Sequence, residues 1–259
     1  GRLGEPVIRS AESQAMNILG RQFVFGRTID EALDRAAPEQ AKGWSHSFDM
    51  LGEAAKTHAD AARYAKAYGD ALNTIAATAK GGFRKAPGIS VKLSALHPRY
   101  EWSHAEEAKA AILPVLRELA RKASKADVHF TIHAEEADRL ELSMDLIEEL
   151  AADGALFANG WGGFGLAIQA YSKRAVPLCD WTVELARQHG GVVMLVDGDD
   201  GGDEHACRRI DFAAHHQAVI FAEAAGPPDE VLGDFVDPSA DVAEAFGHPG
   251  ALRPRIGGE

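Results

Sequence analysis

The chain has 259 residues, of which 46% are hydrophobic and 25% charged; this composition is close to the globular average and excludes a wholly disordered chain. The formal net charge of −12 argues against nucleic-acid binding, because phosphate binding requires clustered lysine and arginine. No apolar run approaches the roughly 20 residues that span a membrane, and the length suffices for one large domain with a sizeable core.

The first predicted elements form a helical N-terminal arm. Residues 5–19 carry apolar side chains at helical spacing and predict a helix. Thr28 followed by Glu31 has the spacing of a capping box and predicts a second helix that ends at Ala36. We therefore assign residues 1–40 to this arm.

From residue 41 onward, short β-branched runs alternate with longer helical patterns. The predicted strands are residues 44–51, 89–93, 128–132, 164–168 and 192–196. The predicted helices between them are residues 60–79, 106–123, 136–152 and 176–188. Strict alternation of strand and helix is typical of an α/β protein with a parallel sheet, either doubly wound or closed into a barrel. Because no Gly-x-Gly-x-x-Gly motif follows a strand, the pattern favours the barrel.

The composition changes near residue 191. Residues 192–259 contain 4 of the 27 basic residues but 14 of the 39 acidic ones, so they carry most of the net charge. We expect the first βα units within residues 41–191 and a divergent acidic segment over residues 192–259. In that segment the pattern predicts a helix or a strand at 216–225, and loops or disorder after Gly226.

The cysteine content and the start of the chain bear on its origin. Two cysteines, Cys179 and Cys207, suit a reducing compartment without a disulfide framework, so we expect a cytoplasmic protein. The chain opens at Gly1 in the middle of a pattern and without a signal peptide, as expected of a fragment.

Polar side chains follow several predicted strands where each strand ends. Lys92 closes the second strand, Glu135 and Glu136 follow the third, and Gln169 follows the fourth. In a barrel these ends meet at the active-site mouth. A lysine after a short strand is by itself more often solvated. Of the two glutamates, we expect one to face the mouth and the other to begin the next helix, near its positive end.

Two short motifs resemble metal sites but lack the partners that such sites need. His133-Ala-Glu135 matches the His-x-Glu of zinc deaminases, yet no second cysteine follows Cys179 at the required spacing. Residues 197–202 resemble the start of a calcium loop, but the twelfth position is Arg208 where such loops have glutamate. We therefore expect no metal at either motif.

Longer segments resemble one family, the proline dehydrogenase domains of the bifunctional bacterial proline utilization A flavoenzymes. The resemblance covers residues 2–190, about three quarters of the chain. The matching segments are residues 4–9, 47–54, 88–100, 134–141 and 168–171. The run over residues 88–100 is far more specific than any short motif.

The resemblance implies a distorted eight-stranded β/α barrel that binds FAD and oxidises L-proline to pyrroline-5-carboxylate. Proline or a proline analogue would be the ligand and a quinone would accept the electrons; peripheral membrane association would belong only to the full-length enzyme. By resemblance, Lys92 holds the proline carboxylate and Gln169 contacts the flavin edge. The candidate catalytic residues are Lys92, Asp49, Tyr100, His133 and Glu135, and the candidate cofactor-binding residues are Gln169, Tyr171 and Val196.

The chain also departs from the family pattern. The third strand of the family ends in Asp-Ala-Glu-Glu, and here the first position is His133. The flavin-contacting arginine and lysine of the fifth strand are replaced by Met194 and Asp197. Residues 192–259 have no counterpart of the later strands or of the arginine pair that binds the proline carboxylate, and they are too few for four more strands with crossover helices.

Two interpretations therefore remain open. The first is an incomplete barrel of the proline dehydrogenase type with an irregular acidic C-terminal segment and flavin-dependent activity. The second is a degenerate or truncated relative that binds no flavin and serves as a non-catalytic binding or scaffold module. The change in composition at residue 192 also fits a segment from outside the natural coding frame.

Overall fold

The computed structural model describes residues 24–50, 52, 54–133, 136–169 and 172–189 in full, and the backbone of residues 192–197 and 220–222. The helix predicted over residues 5–19 and the loops predicted after Gly226 lie outside these residues. Of the stretch 216–225, the described backbone is a strand. The division of the chain into an arm, a barrel part and an acidic segment stays a prediction.

Six strands and six helices make up the described part of the chain. The strands are β1 (Ser47–Asp49), β2 (Gly88–Lys92), β3 (Phe130–His133), β4 (Phe164–Gln169), β5 (Val192–Asp197) and β6 (Ile220–Ala222). The helices are α1 (Ile29–Gln40), α2 (His58–Thr78), α3 (Ala105–Ala126), α4 (Leu140–Ala151), the short α5 (Gly154–Phe157) and α6 (Ala175–His189). Two 3₁₀ turns, Leu93–Ala95 and Trp102–His104, follow β2.

The strands form one parallel sheet in the order β1-β2-β3-β4-β5-β6. Each strand pairs with the next one along the chain, so the order never reverses, as it does at the switch point of a doubly wound sheet. Connections between neighbouring parallel strands are right-handed, so the helices that join consecutive strands, α2 to α6, lie on one side of the sheet. This is barrel topology. Among the described strands, β1 and β6 do not pair with each other, so the barrel is not closed.

The two faces of the sheet differ in polarity. Large apolar side chains cover the face toward the helices and belong to one hydrophobic cluster with them: Phe48, Ile89, Val91, Phe130, Ile132, Phe164, Leu166 and Ile168. The opposite face carries small and polar side chains. There the hydroxyls of Ser47 and Ser90 lie 2.8 Å apart, and Ser90 and Thr131 are buried. Residues two apart in a strand share a face, so Lys92 and His133 continue the polar face to the strand ends.

Capping explains where the first helices begin. The side chain of Thr28 accepts from the backbone N–H of Glu31 at 3.2 Å, as predicted, but the Glu31 carboxylate accepts from Arg27 and not from the cap residue. Helix α1 continues past the predicted end, through Pro38 to Gln40. Helix α2 begins two residues earlier than predicted, because Thr57 and Asp60 form a reciprocal capping box.

The start of α4 differs from the prediction. Residues 137–139 form a turn, and the helix begins at Leu140 instead of residue 136. The backbone N–H of Arg139 donates to the carbonyl of Glu136 at 2.9 Å, and the Glu136 carboxylate is paired with the Arg139 guanidinium. Glu136 therefore does not begin the helix. The sequence reading also missed α5, whose cap Asp153 accepts from the N–H of Ala155.

Among the described helices, none is long and apolar enough to cross a membrane.

Candidate active site

A small recess lies at the C-terminal ends of β2 and β3. It contains about 190 Å³ of space, part of it continuous with solvent. The residues that line it are Lys92, Leu93, Ser94, Tyr100, His133, Glu136 and Ser143. Lys92 and His133 are partners in the parallel register, so the two predicted site residues lie side by side. The strand ends bring these groups together, as expected for a barrel mouth.

Lys92 is held by contacts from two neighbouring elements. Its Nζ lies 3.3 Å from Oδ2 of Asp49, whose side chain is 38% exposed, while the lysine side chain is 15% exposed. Asp49 pairs in register with Ser90, which is two residues before Lys92 on the same face of β2. The backbone N–H of Lys92 donates to the hydroxyl of Tyr68 at 3.2 Å. An ammonium has three donors, so Lys92 can bind an anion while it contacts Asp49.

Tyr100 is buried and takes part in a chain of hydroxyl groups. Its Oη lies 2.7 Å from Oγ of Ser143, and Ser143 donates to the carbonyl of Arg139 at 3.1 Å. Because the hydrogen of Ser143 is used in that bond, Tyr100 donates to Ser143. Burial raises the pKa of Tyr100, and the bond to Ser143 opposes this shift. The phenol is therefore neutral, and its oxygen can only accept from a ligand.

A second ion pair borders the recess. Nη1 of Arg139 lies 2.6 Å from Oε2 of Glu136, and the guanidinium lies 6.0 Å from the centre of the Tyr100 ring. The hydrogen bond with Glu136 raises the pKa of Arg139, so the guanidinium stays charged. Of the two predicted glutamates, Glu136 is thus at the recess; Glu135 lies outside the described residues.

Of the other predicted residues, Gln169 lies at the same edge of the sheet. Gln169 ends β4 and pairs in register with Asp197 of β5. It lies two positions beyond Ala167, the register partner of His133, and so shares the polar face. Val196 pairs with Ile168 through the backbone, and its side chain is outside the described residues, as is Tyr171.

The sequence reading missed Tyr68, Ser143 and Arg139. Ser143 lies on the buried side of α4, among leucines, and Tyr68 lies on the buried side of α2. A polar side chain within an apolar helical stripe is a signal that it has a buried partner. The identity of that partner requires the tertiary structure, because Ser143 and Tyr100 are 43 residues apart.

Comparison with known proteins identifies the family. The proline dehydrogenase family model matches residues 32–196, more than half of the chain.

The chain belongs to the proline dehydrogenase family.

Curated relatives are bifunctional PutA proteins. The chain is 46% identical to PutA of Klebsiella aerogenes over 196 residues and 47% identical to PutA of Rhizobium meliloti over 194 residues. Each match covers 75% of this chain but 15% of the relative, so the chain spans about a seventh of their length.

Solved structures of the same family share the fold. Proline utilization A of Bradyrhizobium japonicum is 48% identical, with a TM-score of 0.63 over 77% of this chain and 20% of that one. The enzyme of Bdellovibrio bacteriovorus, inactivated by N-propargylglycine, is 22% identical, with a TM-score of 0.66 over 75% of this chain and 21% of that one. The second likeness concerns the fold alone. Both confirm the predicted barrel type, and the first also confirms the family resemblance.

One described residue, Gln169, bears on whether the polar face of the sheet suits a flavin. The amide of Gln169 can both donate and accept, which suits the ring edge of a flavin. Gln169 is half-buried at the end of β4, on the same face of the sheet as His133. Of the described residues, Gln169 is therefore the one whose amide would hold the ring edge.

Proposed function

We propose that this chain carries the substrate-carboxylate side of a site that oxidises L-proline to pyrroline-5-carboxylate, with FAD as the oxidant. The observation that supports this most is Lys92, held 3.3 Å from Asp49 at the end of a strand in a proline dehydrogenase barrel. We propose in addition that a quinone accepts the electrons and that the reaction takes place in the cytoplasm.

The residues of the recess have separate tasks in this proposal. The Lys92 ammonium binds the proline carboxylate, and Asp49 keeps the ammonium directed to the mouth. A charged hydrogen bond of this kind contributes about 1.5–3 kcal/mol. Tyr100 offers its phenol oxygen as an acceptor for an N–H of the ligand. His133, next to Lys92 in register, takes the proton that the proline nitrogen loses, at a ring nitrogen.

Gln169 orients the flavin ring in this proposal through its side-chain amide. When bound, FAD accepts the hydride that leaves the proline ring carbon. Lys92 keeps the carboxylate in place, and Leu93 lines the recess beside it.

A specific observation favours a second candidate, a relative that binds no flavin. Strand β5 ends in Asp197, directly beside Gln169 in register, at the position where the resemblance implies a lysine. The chain thus has an acidic residue where a lysine would attract an anionic cofactor. In this second candidate the recess binds a carboxylate ligand without oxidising it.

The visible absorption spectrum separates the two candidates. The purified chain is incubated with FAD, freed of unbound cofactor, and then mixed with L-proline without oxygen. A flavin band that bleaches with proline supports the dehydrogenase. Lys92→Met must then bleach far more slowly, whereas the matched control Lys66→Met, an exposed lysine on α2 paired with Asp70, must behave like the parent chain. Absence of a flavin band supports the non-catalytic candidate.

A further inference from the structure

Three side chains outside the recess form a separate cluster. They are His58, the first residue of α2; His97, in the loop after β2; and Glu107, in the first turn of α3. Each offers one ligand atom, and these atoms all lie within 4.8 Å of one another. None of the three lines the recess, although all follow the C-terminal ends of strands. We propose that they bind a divalent transition metal, with Zn²⁺ as the best match.

The geometry suits a site with one fixed and two mobile ligands. His97 is only 3% exposed, and its Nε2 lies 4.0 Å from Oε1 of Glu107. The rings of His58 and His97 meet edge to face, with centres 5.3 Å apart. Ligand atoms around tetrahedral zinc lie roughly 3.4 Å from one another, given Zn–N and Zn–O bonds of about 2 Å. His58 and Glu107 are exposed, so their side chains can close this difference.

The donor set selects the kind of metal. Two imidazoles and one carboxylate match the three protein ligands of open zinc sites, where a water takes the fourth position. Calcium and magnesium require oxygen ligands, so two imidazoles disfavour both. The N-terminal ends of α2 and α3 oppose a cation, but the acidic residues Asp60 and Glu106 in their first turns offset this effect.

The tautomer of His97 supplies a spectroscopic signature. Its Nδ1 accepts the backbone N–H of Arg99 at 3.2 Å, so without metal the imidazole hydrogen is on Nε2. Metal bound at Nε2 requires that hydrogen to move to Nδ1, and the bond from Arg99 is then lost. One hydrogen changes place and none is released. Because this bond is lost, the site binds more weakly than a zinc site whose histidines are already in the metal-binding tautomer.

The test uses the whole chain without a histidine tag and after treatment with a chelator. Zn²⁺ binding is measured by titration calorimetry, and Co²⁺ binding by the visible absorption of the tetrahedral ion. We expect one metal per chain, and a loss of affinity of at least about tenfold in each of His58→Ala and Glu107→Gln. The control variants Glu118→Gln, an exposed glutamate farther along α3, and His104→Ala, a partly buried histidine outside the cluster, must bind like the parent chain.

Two results would overturn the proposal: no binding of either ion, or binding that survives unchanged in both ligand variants. The second result would place the metal on other histidines of the chain. Both ligand variants alter exposed side chains, and circular dichroism verifies that each remains folded. Nitrogen-detected NMR of the histidines provides an independent readout, because Zn²⁺ must convert His97 from the Nε2–H to the Nδ1–H tautomer; an unchanged tautomer in the presence of bound zinc contradicts the proposal.

Discussion

Lys92 and Asp49 form an ion pair between neighbouring parallel strands, with Nζ 3.3 Å from Oδ2. The two residues are not register partners: Asp49 pairs with Ser90, which lies two residues before Lys92 in β2. The lysine side chain is mostly buried and the aspartate is partly exposed, so an incoming carboxylate competes with a carboxylate already beside the ammonium. Asp49 thus both orients the cation and limits its affinity for anions.

We predict that Lys92→Met lowers the affinity for a proline analogue that carries a carboxylate by about 10- to 150-fold, the equivalent of 1.5–3 kcal/mol for a charged hydrogen bond. Asp49→Asn keeps the shape of the side chain but removes the competing charge. Its effect on the affinity for the analogue is smaller than that of Lys92→Met. Titration calorimetry with the analogue measures both. Equal binding by the parent chain and Lys92→Met would contradict the assigned role of the lysine, and Lys66→Met serves as the surface control.

Removal of the hydroxyls of Tyr100 and Ser143 has unequal effects on stability. Tyr100→Phe loses one hydrogen bond, for a cost of about 1 kcal/mol, and leaves Ser143 donating to Arg139. Ser143→Ala leaves the buried phenol without its acceptor, which costs about 1–3 kcal/mol. Urea denaturation of both single variants and of the double variant measures this. The double variant must be less destabilised than the sum of the two; additive effects would refute the hydroxyl chain.

His129 makes the stability depend on pH. Burial lowers the pKa of His129 from 6.5 to about 4, and the nearby charge of Arg84 adds to the shift. Between these two values the unfolded chain binds a proton that the folded chain does not, so the free energy of unfolding decreases as the pH falls from 6.5 to about 4. The loss is on the order of 3 kcal/mol over this window.

The variant His129→Gln tests this contribution. It removes the titrating group, so its free energy of unfolding must decrease less between pH 7 and pH 4.5 than that of the parent chain. Denaturant titrations at several pH values in this window give the comparison, and other groups that titrate there affect both proteins alike. Parallel pH profiles for the two proteins would show that His129 is not the cause.

Gly88 begins β2 where the backbone of the next strand approaches closely. A Cβ at this position would lie 2.2 Å from Cβ and 2.6 Å from the carbonyl oxygen of His129. We expect Gly88→Ala to destabilise the fold by about 1–3 kcal/mol or more, since backbone must move. Gly154→Ala is the matched control, because nothing lies within 4 Å of its added Cβ. In thermal denaturation, Gly88→Ala must have a lower melting temperature than Gly154→Ala. Equal melting temperatures would contradict the prediction.

Most of the elements could be predicted because their signals are local. Periodicity placed α2, α3 and α6 and the first five strands within a few residues of their observed bounds. The capping box expected at Thr28 is only half formed, while the complete box at Thr57 and Asp60 was not predicted. The late start of α4 was missed because the Glu136 carboxylate is hydrogen-bonded to the Arg139 guanidinium. Helical periodicity does not reveal this interaction.

The candidate site was predictable only in part. The ends of strands identified Lys92 and Gln169 as residues at one edge of the sheet, and the resemblance added Asp49 and His133. The roles that the resemblance gives these residues stay predictions. Their neighbours were not predictable, because Ser143 and Tyr68 reach the site from helices and their contacts depend on how those helices pack.

The amino-acid sequence by itself determined the alternation of strands and helices, the polar groups at the strand ends and the family, since each follows from local pattern or from matching segments. The tertiary structure alone decided the strand order, which confirms the barrel topology that the sequence favoured over a doubly wound sheet. It also decided which distant side chains meet, as in the cluster of His58, His97 and Glu107. The physical reason is that strand order and helix packing are set by burial of the shared apolar face, a property of all the elements together.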